Sequence, residues 1–359
     1  MKSAGLVDLQ VNGFGGLDFN AGGTPGAFAG GRIDQAFEAL LATGVTTLLP
    51  TVITATGPLL EARFAALDAA ISASPLGPAM CPGYHLEGPF LNPAPGYAGC
   101  HPAEAMTAPD YALVERLERL LSRPILLITL APELPGAEAF IRRARAAGKL
   151  VAIGHSAAGF AETAAAAAAG ATLSTHLGNG LPQILHKLAN PIFAQLAEDR
   201  LMAGFIADGI HLHPQALKVM IRAKGPGRAM LVTDAVSAAA APAGLYPFAS
   251  MTVQRGADGA VRVPGAESLA GSSLCLDAAV RNLVAWGIAD AATALAMASA
   301  APAALLAPAL AAHGLTQDLG ELLWSEQLTL RELRLGPVER RYPAPALQPV
   351  APVENDHAG

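Results

Sequence analysis

Four ionisable side chains stand where short apolar runs end. Glu87 closes YHLEG, His155 closes VAIGHS, His176 closes LSTHL and Asp234 closes LVTDA. One carboxylate oxygen and two imidazole nitrogens make a ligand set for a single divalent cation with a position left open for water. Zinc suits that set best, and iron, cobalt and manganese accept it too. A cation of this kind brings the pKa of a bound water toward about 7. Asp234 could then take the proton as the water attacks an amide carbonyl, and deliver it to the leaving amine. Each residue also has a plainer reading. A lone histidine at a strand end is commonly a satisfied polar residue, and Asp234, followed by Ala235 and Ser237, suits a turn or a helix N-cap. His85 shares a strand face with Glu87 at a spacing of two. It reads equally as a residue that orients Glu87 and as a core histidine.

Such residues act together only if the elements before them converge. Eight short apolar runs precede residue 235, at 5–11, 45–51, 80–87, 125–131, 150–155, 171–176, 201–208 and 229–234. They are apolar on both faces, as buried parallel strands are. Helices are predicted between them, among them 34–42, 58–73, 111–122, 136–147 and 214–223, with Gly148 and Gly170 placed to end two of them. Eight β-α units in series predict a closed (β/α)8 barrel, whose C-terminal strand ends converge on one site. Beyond the eighth strand, a hairpin is expected around residues 257–259, helices over 273–312 and a few strands in 321–341. The expected organisation is a catalytic barrel with its C-terminal helices at 1–315, a possible remnant of a small β-domain at 316–342, and a mobile tail from Pro343.

The composition narrows the class. With 52% hydrophobic residues in 359, the chain can bury a barrel core. A net charge of −6 and no long Lys/Arg run argue against nucleic acid as a partner. The three cysteines, Cys81, Cys100 and Cys275, form no zinc-type pair and no disulfide framework, which fits a reducing compartment. The first residues lack the apolar core of a signal peptide, and no membrane-spanning helix is predicted. A cytoplasmic protein with a small-molecule substrate is the expectation.

Several separated motifs add a resemblance. DLQVNGFGG (8–16), HLEGPFLNP (85–93), TLAPE (129–133), GHS (154–156), THLGNG (175–180), FIADGIHLHP (205–214), LVTDA (231–235), APAG (241–244) and LAGSSL (269–274) occur in this order. Together, over residues 7–282, they resemble the N-acetylglucosamine-6-phosphate deacetylases, a branch of the amidohydrolase superfamily. The resemblance implies a metal held by Glu87, His155 and His176, and a proton shuttle at Asp234. It implies that His101 polarises the substrate carbonyl, that His211 contacts the sugar phosphate, and that Asn179 and Gly180 touch substrate. It places a basic residue after THLGNG, often acting on a partner subunit's substrate. Here Lys187, assisted by His186, is the counterpart, and a homodimer is implied. The implied reaction is hydrolysis of N-acetylglucosamine 6-phosphate to glucosamine 6-phosphate and acetate.

Plainer readings accompany these assignments. His101 lies in a Pro/Gly-rich loop that water could bathe, His211 could be a turn residue, and His213 could take its role. Asn179 could simply make a turn between Gly178 and Gly180, and Lys187 could be a surface lysine. Two departures from the pattern matter. Gln10-Val11-Asn12 stands where many amidohydrolases carry His-x-His, and the fourth strand offers no bridging lysine, so one metal is expected. The chain starts almost at the first barrel strand, so the N-terminal part of the small β-domain is expected to be missing and that domain reduced or absent. The rival readings are an amidohydrolase for another N-acyl sugar or a cyclic amide, and a non-catalytic barrel that binds sugar phosphates.

Overall fold

The computed structural model describes residues 1–343; the rest of the predicted tail lies outside the described residues. Strand β1 (Lys2–Ala4) leads into β2 (Leu6–Val11), and a small hairpin of β3 (Gly13–Phe14) and β4 (Leu17–Asp18) follows. Seven further strands then run parallel to β2. They are β5 (Val45–Ile53), β6 (Tyr84–Glu87), β7 (Ile125–Leu130), β8 (Leu150–Ile153), β9 (Leu173–Ser174), β10 (Met202–Phe205) and β11 (Ala229–Leu231). They pair in chain order, each with the next, from β2 to β11. Helices such as Arg32–Leu41, Gly57–Ala73, Ala137–Ala146 and Pro214–Lys224 return the chain between strands. The apolar runs therefore mark the strands because one face meets the barrel interior and the other meets these helices.

Three contacts close the sheet. Val11 bridges Ala235 in parallel, the Asn12 amide donates to the Ala235 carbonyl at 2.7 Å, and the Asp234 amide donates to the Gln10 carbonyl at 3.0 Å. Helices Ala291–Ala298 and Ala300–Ala312 pack over this seam, against β2 and β11. By length and composition the segment Ala291–Ala312 could cross a membrane. Here it breaks at Ser299, whose hydroxyl donates to the Gly5 carbonyl at 2.6 Å beside β2, and half of it is buried in the fold.

Strand limits differ from the sequence expectation in one consistent way. The predicted runs reach His155, His176 and Asp234, but β8, β9 and β11 stop two or three residues earlier. His155, His176 and Asp234 have φ of 51°, 24° and 50°. This left-handed backbone turns the chain out of the sheet and towards the barrel axis.

Two smaller sheets flank the barrel. Strands β12 (Gly244–Phe248), β13 (Met251–Arg255) and β14 (Val261–Arg262) form an antiparallel sheet at the barrel mouth. Phe248, Val253 and Val261 pack there with Ile53 and Val236 in a second apolar cluster. The hairpin around 257–259 is as expected, and β12 is an addition to it. Strands β15 (Glu321–Trp324), β16 (Leu330–Leu335) and β17 (Val338–Arg341) form the other sheet, with β1 on its edge. The N-terminal contribution is thus present, against expectation: Lys2, Ser3 and Ala4 pair with Leu323, Leu322 and Glu321. Three residues suffice because Trp324 Nε1 also donates to Ser3 Oγ at 2.8 Å. The buried face of this sheet joins the main core through Leu322, Leu330 and Leu333.

Candidate active site

Glu87 ends β6 inside the barrel mouth and is 1% exposed. Its Oε1 lies 3.1 Å from His176 Nε2 and 3.5 Å from His155 Nε2. The ligand atoms of these three residues all lie within 4.8 Å of one another. His155 Nδ1 donates to the Tyr97 carbonyl at 2.7 Å, which fixes the ring and leaves Nε2 directed at Glu87. His155 Nε2 and His176 Nδ1 are buried and have no hydrogen-bond partner. Buried ring nitrogens of this kind are normally satisfied. One carboxylate oxygen and two imidazole nitrogens, the orphaned His155 Nε2 among them, fit a divalent cation. Burial pushes the Glu87 carboxyl up, but the neighbouring rings of His155, His176 and His101 outweigh it and hold the group well below the usual value.

Asp234 faces the same cavity. Its Oδ1 accepts Asn12 Nδ2 at 2.7 Å and Gln10 Nε2 at 3.2 Å. Gln10 Nε2 also donates to Glu87 Oε1 at 2.9 Å, so one amide ties the two carboxylates together. Burial first, and the Glu87 charge second, push Asp234 up to about 6. These contacts make the turn or N-cap reading of Asp234 incomplete, since its carboxylate is spent on the barrel interior.

The neighbouring histidines sort by their partners. His101 is 6% exposed, so water does not bathe it. Its Nδ1 meets Thr54 Oγ1 at 2.9 Å, its Nε2 lies 3.9 Å from Glu87 Oε2, and its ring centroid is 4.5 Å from that of His155. Burial and the adjacent His155 lower it to about 3, which keeps it neutral. His85 does not orient Glu87. Its nitrogens meet Thr129 Oγ1 at 2.8 Å and Thr51 Oγ1 at 3.3 Å, as a core histidine's do. His211 lines the cavity, with Nδ1 2.6 Å from Asp208 Oδ2. His213 does not compete with it, because that ring caps helix Pro214–Lys224 by accepting the Gln215 amide.

Asn179 and Gly180 also line the cavity, which encloses about 1080 Å³. Asn179 Nδ2 donates to the His176 carbonyl at 3.0 Å, so it makes the expected turn and borders the site as well. Gly180 has φ of 63°, and a Cβ there would lie 2.6 Å from His155 Nδ1; only glycine fits beneath that ring. Lys187 and His186 are exposed and stand outside the cavity wall of their own chain. His186 Nδ1 accepts the Ala189 amide at 2.9 Å, a loop-shaping contact.

The sequence reading gave no role to Glu133, the last residue of TLAPE. Its Oε1 accepts Asn92 Nδ2 at 2.9 Å and the Ala157 amide at 2.6 Å, and its Oε2 accepts Ser156 Oγ at 2.7 Å. The Asn92 amide donates to the His155 carbonyl at 3.1 Å. Glu133 therefore clamps the loop after Glu87 to the loop that carries His155. The available signal was a carboxylate just past a barrel strand, the position from which such folds build their sites.

The family model of the amidohydrolase family matches residues 1–322. The chain belongs to the amidohydrolase family. It is accordingly a hydrolase of a metal-dependent class, and its buried Glu87–His155–His176 group is a place where a metal fits. An N-acetylgalactosamine-6-phosphate deacetylase of Escherichia coli O157:H7 is 36% identical over 264 residues, 73% of this chain and 68% of that protein. An N-acetylglucosamine-6-phosphate deacetylase of Lysinibacillus sphaericus is 36% identical over 201 residues, 56% of this chain but only 51% of that protein. Among solved structures, an Asp-to-Ala variant of the Mycobacterium smegmatis N-acetyl-D-glucosamine-6-phosphate deacetylase, in complex with N-acetyl-D-glucosamine-6-phosphate, superposes with a TM-score of 0.80. It is 28% identical, over 93% of this chain and 85% of that one. The enzyme of the same name from Thermotoga maritima gives a TM-score of 0.77 at 26% identity, over 93% of this chain and 87% of that one. These relatives support the (β/α)8 barrel expected from the strand pattern and the amidohydrolase family that the motifs resemble.

Proposed function

We propose that this amidohydrolase removes the acetyl group from an N-acetyl amino sugar 6-phosphate, releasing acetate and the free amine. The observation that carries this reading is Gln10 Nε2 joining Glu87 of the ligand cluster to Asp234. It sets a proton-transfer carboxylate directly beside a site for one cation. A bound divalent ion, zinc in our assignment, would supply Lewis-acid polarisation and a water of lowered pKa. Glu87 Oε1, His155 Nε2 and a ring nitrogen of His176 would hold it.

The chain's own residues do the rest. Asp234 accepts a proton from the attacking water and delivers it to the sugar nitrogen as the C–N bond breaks. The water oxygen leaves in acetate. Gln10 and Asn12 donate to Asp234 Oδ1 and orient the carboxylate for both transfers. His101 steadies the acyl oxygen from Nε2 in the tautomer where Thr54 Oγ1 donates to Nδ1. His211, fixed by Asp208, and the Asn179–Gly180 turn hold the sugar. The amides of Gln10 and Asn12 occupy the side where a His-x-His pair would bind a second ion, which supports one metal per chain.

Lys187 and His186 fit a role across a homodimer. Ile184 and Leu188, on the same loop, are 91% and 61% exposed, and Phe193 beside them is 46% exposed. An apolar rim of this kind suits burial against a second copy. Three cysteines without a disulfide suit a reducing cytoplasm.

Acetate release from the metal-loaded protein tests the reaction. N-acetylglucosamine 6-phosphate is the expected substrate, compared with N-acetylgalactosamine 6-phosphate because relatives of both names are 36% identical over their matched stretches. Turnover of neither phosphorylated sugar would end this reading.

A further inference from the structure

The cavity wall holds the carboxylates Glu87 and Asp234 at its floor and Glu267 nearer its rim. Among the described residues that line it, Arg262 is the only lysine or arginine. Lys187, the cation expected from sequence, is not on that wall. An anionic substrate entering one chain's cavity therefore meets one permanently charged cation on the wall, and a hairpin supplies it.

Arg262 ends β14, opposite Gln254 of β13. Its Nη1 lies 3.5 Å from Asp258 Oδ2, a long pair between groups 39% and 61% exposed. Such a pair constrains the side chain little and leaves the remaining guanidinium donors free. The turn of the same hairpin reaches the substrate side of the barrel. Ser273 Oγ donates to the Gly259 carbonyl at 2.7 Å, and a Cβ at Gly259 would stand 3.8 Å from Ile210 Cδ1, so the turn lies beside Ile210. Ile210 lines the cavity beside His211, which the resemblance places against the sugar phosphate. The hairpin thus brings Arg262 to the His211 side of the cavity.

We infer that Arg262 is a specificity-determining residue that reads the substrate's phosphate from within the same chain. Its planar fork pairs with two phosphate oxygens at once, where Lys187 offers a point charge. This inference rests on the deacetylase reading and adds to it a phosphate contact that needs no second subunit.

The test is steady-state acetate release by the metal-loaded full chain, with N-acetylglucosamine 6-phosphate and with N-acetylglucosamine. Arg262→Ala should raise KM for the phosphorylated sugar about tenfold or more while kcat changes far less. The same change should affect the unphosphorylated sugar several-fold less, and Arg262→Lys should recover part of the loss. Equal effects on the two sugars would overturn the inference, as would a KM that responds to Lys187→Ala but not to Arg262→Ala. Should the wild type hydrolyse neither sugar, the deacetylase reading fails, and Arg262 is judged by calorimetric binding of glucosamine 6-phosphate. A tenfold weaker Kd in Arg262→Ala sustains its role, and an unchanged Kd removes it. Should Arg262→Ala fail to fold, Arg262→Gln and Arg262→Lys give the same comparison.

Discussion

The floor of the cavity and its rim place their side chains by different means. On the floor, Glu87, His155, His176 and Asp234 sit on or just past barrel strands, and buried partners such as Gln10, Asn12 and the Tyr97 carbonyl hold them. At the rim, Arg262 stands on a hairpin, and outside the wall Lys187 stands on an exposed loop, with few contacts to fix either. The floor has the rigidity that bond-breaking requires, since a misplacement of about 1 Å can cost roughly 100-fold in rate. The rim carries recognition, which a mobile cation can perform. A substitution on the floor should therefore lower kcat or metal affinity, and one at the rim should change KM.

Asp234→Asn gives the sharpest test of that division. It should lower acetate release by about 10²–10⁴-fold while leaving metal content and melting temperature close to wild type. Turnover within a few-fold of wild type would remove Asp234 from the reaction, and a KM effect alone would move it to the rim class. Glu133→Gln probes whether the floor depends on the clamp behind it. It should weaken metal binding by about 10–100-fold, read by competition with a chelator, because the loop bearing His155 loses an anchor. Unaltered affinity would show that Glu133 serves only the fold.

The smallest effect concerns how the mouth sheet is fastened down. Asp18, 1% exposed, accepts the Ala249 amide from the β12–β13 turn at 2.7 Å. Burial raises its carboxyl from 3.8 to about 7, against hydrogen bonds from Asn20 and Ala249. Between those values the native chain binds a proton that the unfolded chain releases. Asp18 therefore makes stability fall as pH rises from about 4 to about 7. In Asp18→Asn that part of the slope should vanish, as measured by chemical unfolding at several pH values. A slope identical to wild type would mean that Asp18 does not titrate in that window.

The same division governs what could be read from the sequence. The eight strands were legible because each is largely buried on both faces and shows as a mainly apolar run. Glu87, His155, His176 and Asp234 were legible because each interrupts such a run at its end. The left-handed turns at the last three were not, since periodicity carries no sign of φ. Strand β1 was missed because three residues, Lys2, Ser3 and Ala4, have no apolar pattern of their own; their partners lie some 320 positions away. Strand β12 was missed because its burial alternates weakly around Gly244 and Pro247. The burial of His101 and the capping by His213 depend on tertiary partners, Thr54 in one case and the Gln215 amide in the other. Arg262 gave no local signal at all; its place on the cavity wall follows from where the β13–β14 hairpin sits, with its turn beside Ile210.

Anomalous X-ray scattering from crystals of the metal-loaded protein addresses the floor most directly. One peak per chain should appear within bonding distance of Glu87, His155 and His176, next to Asp234. A second strong peak beside Gln10 and Asn12, or a lone peak away from those three ligands, would contradict the assignment.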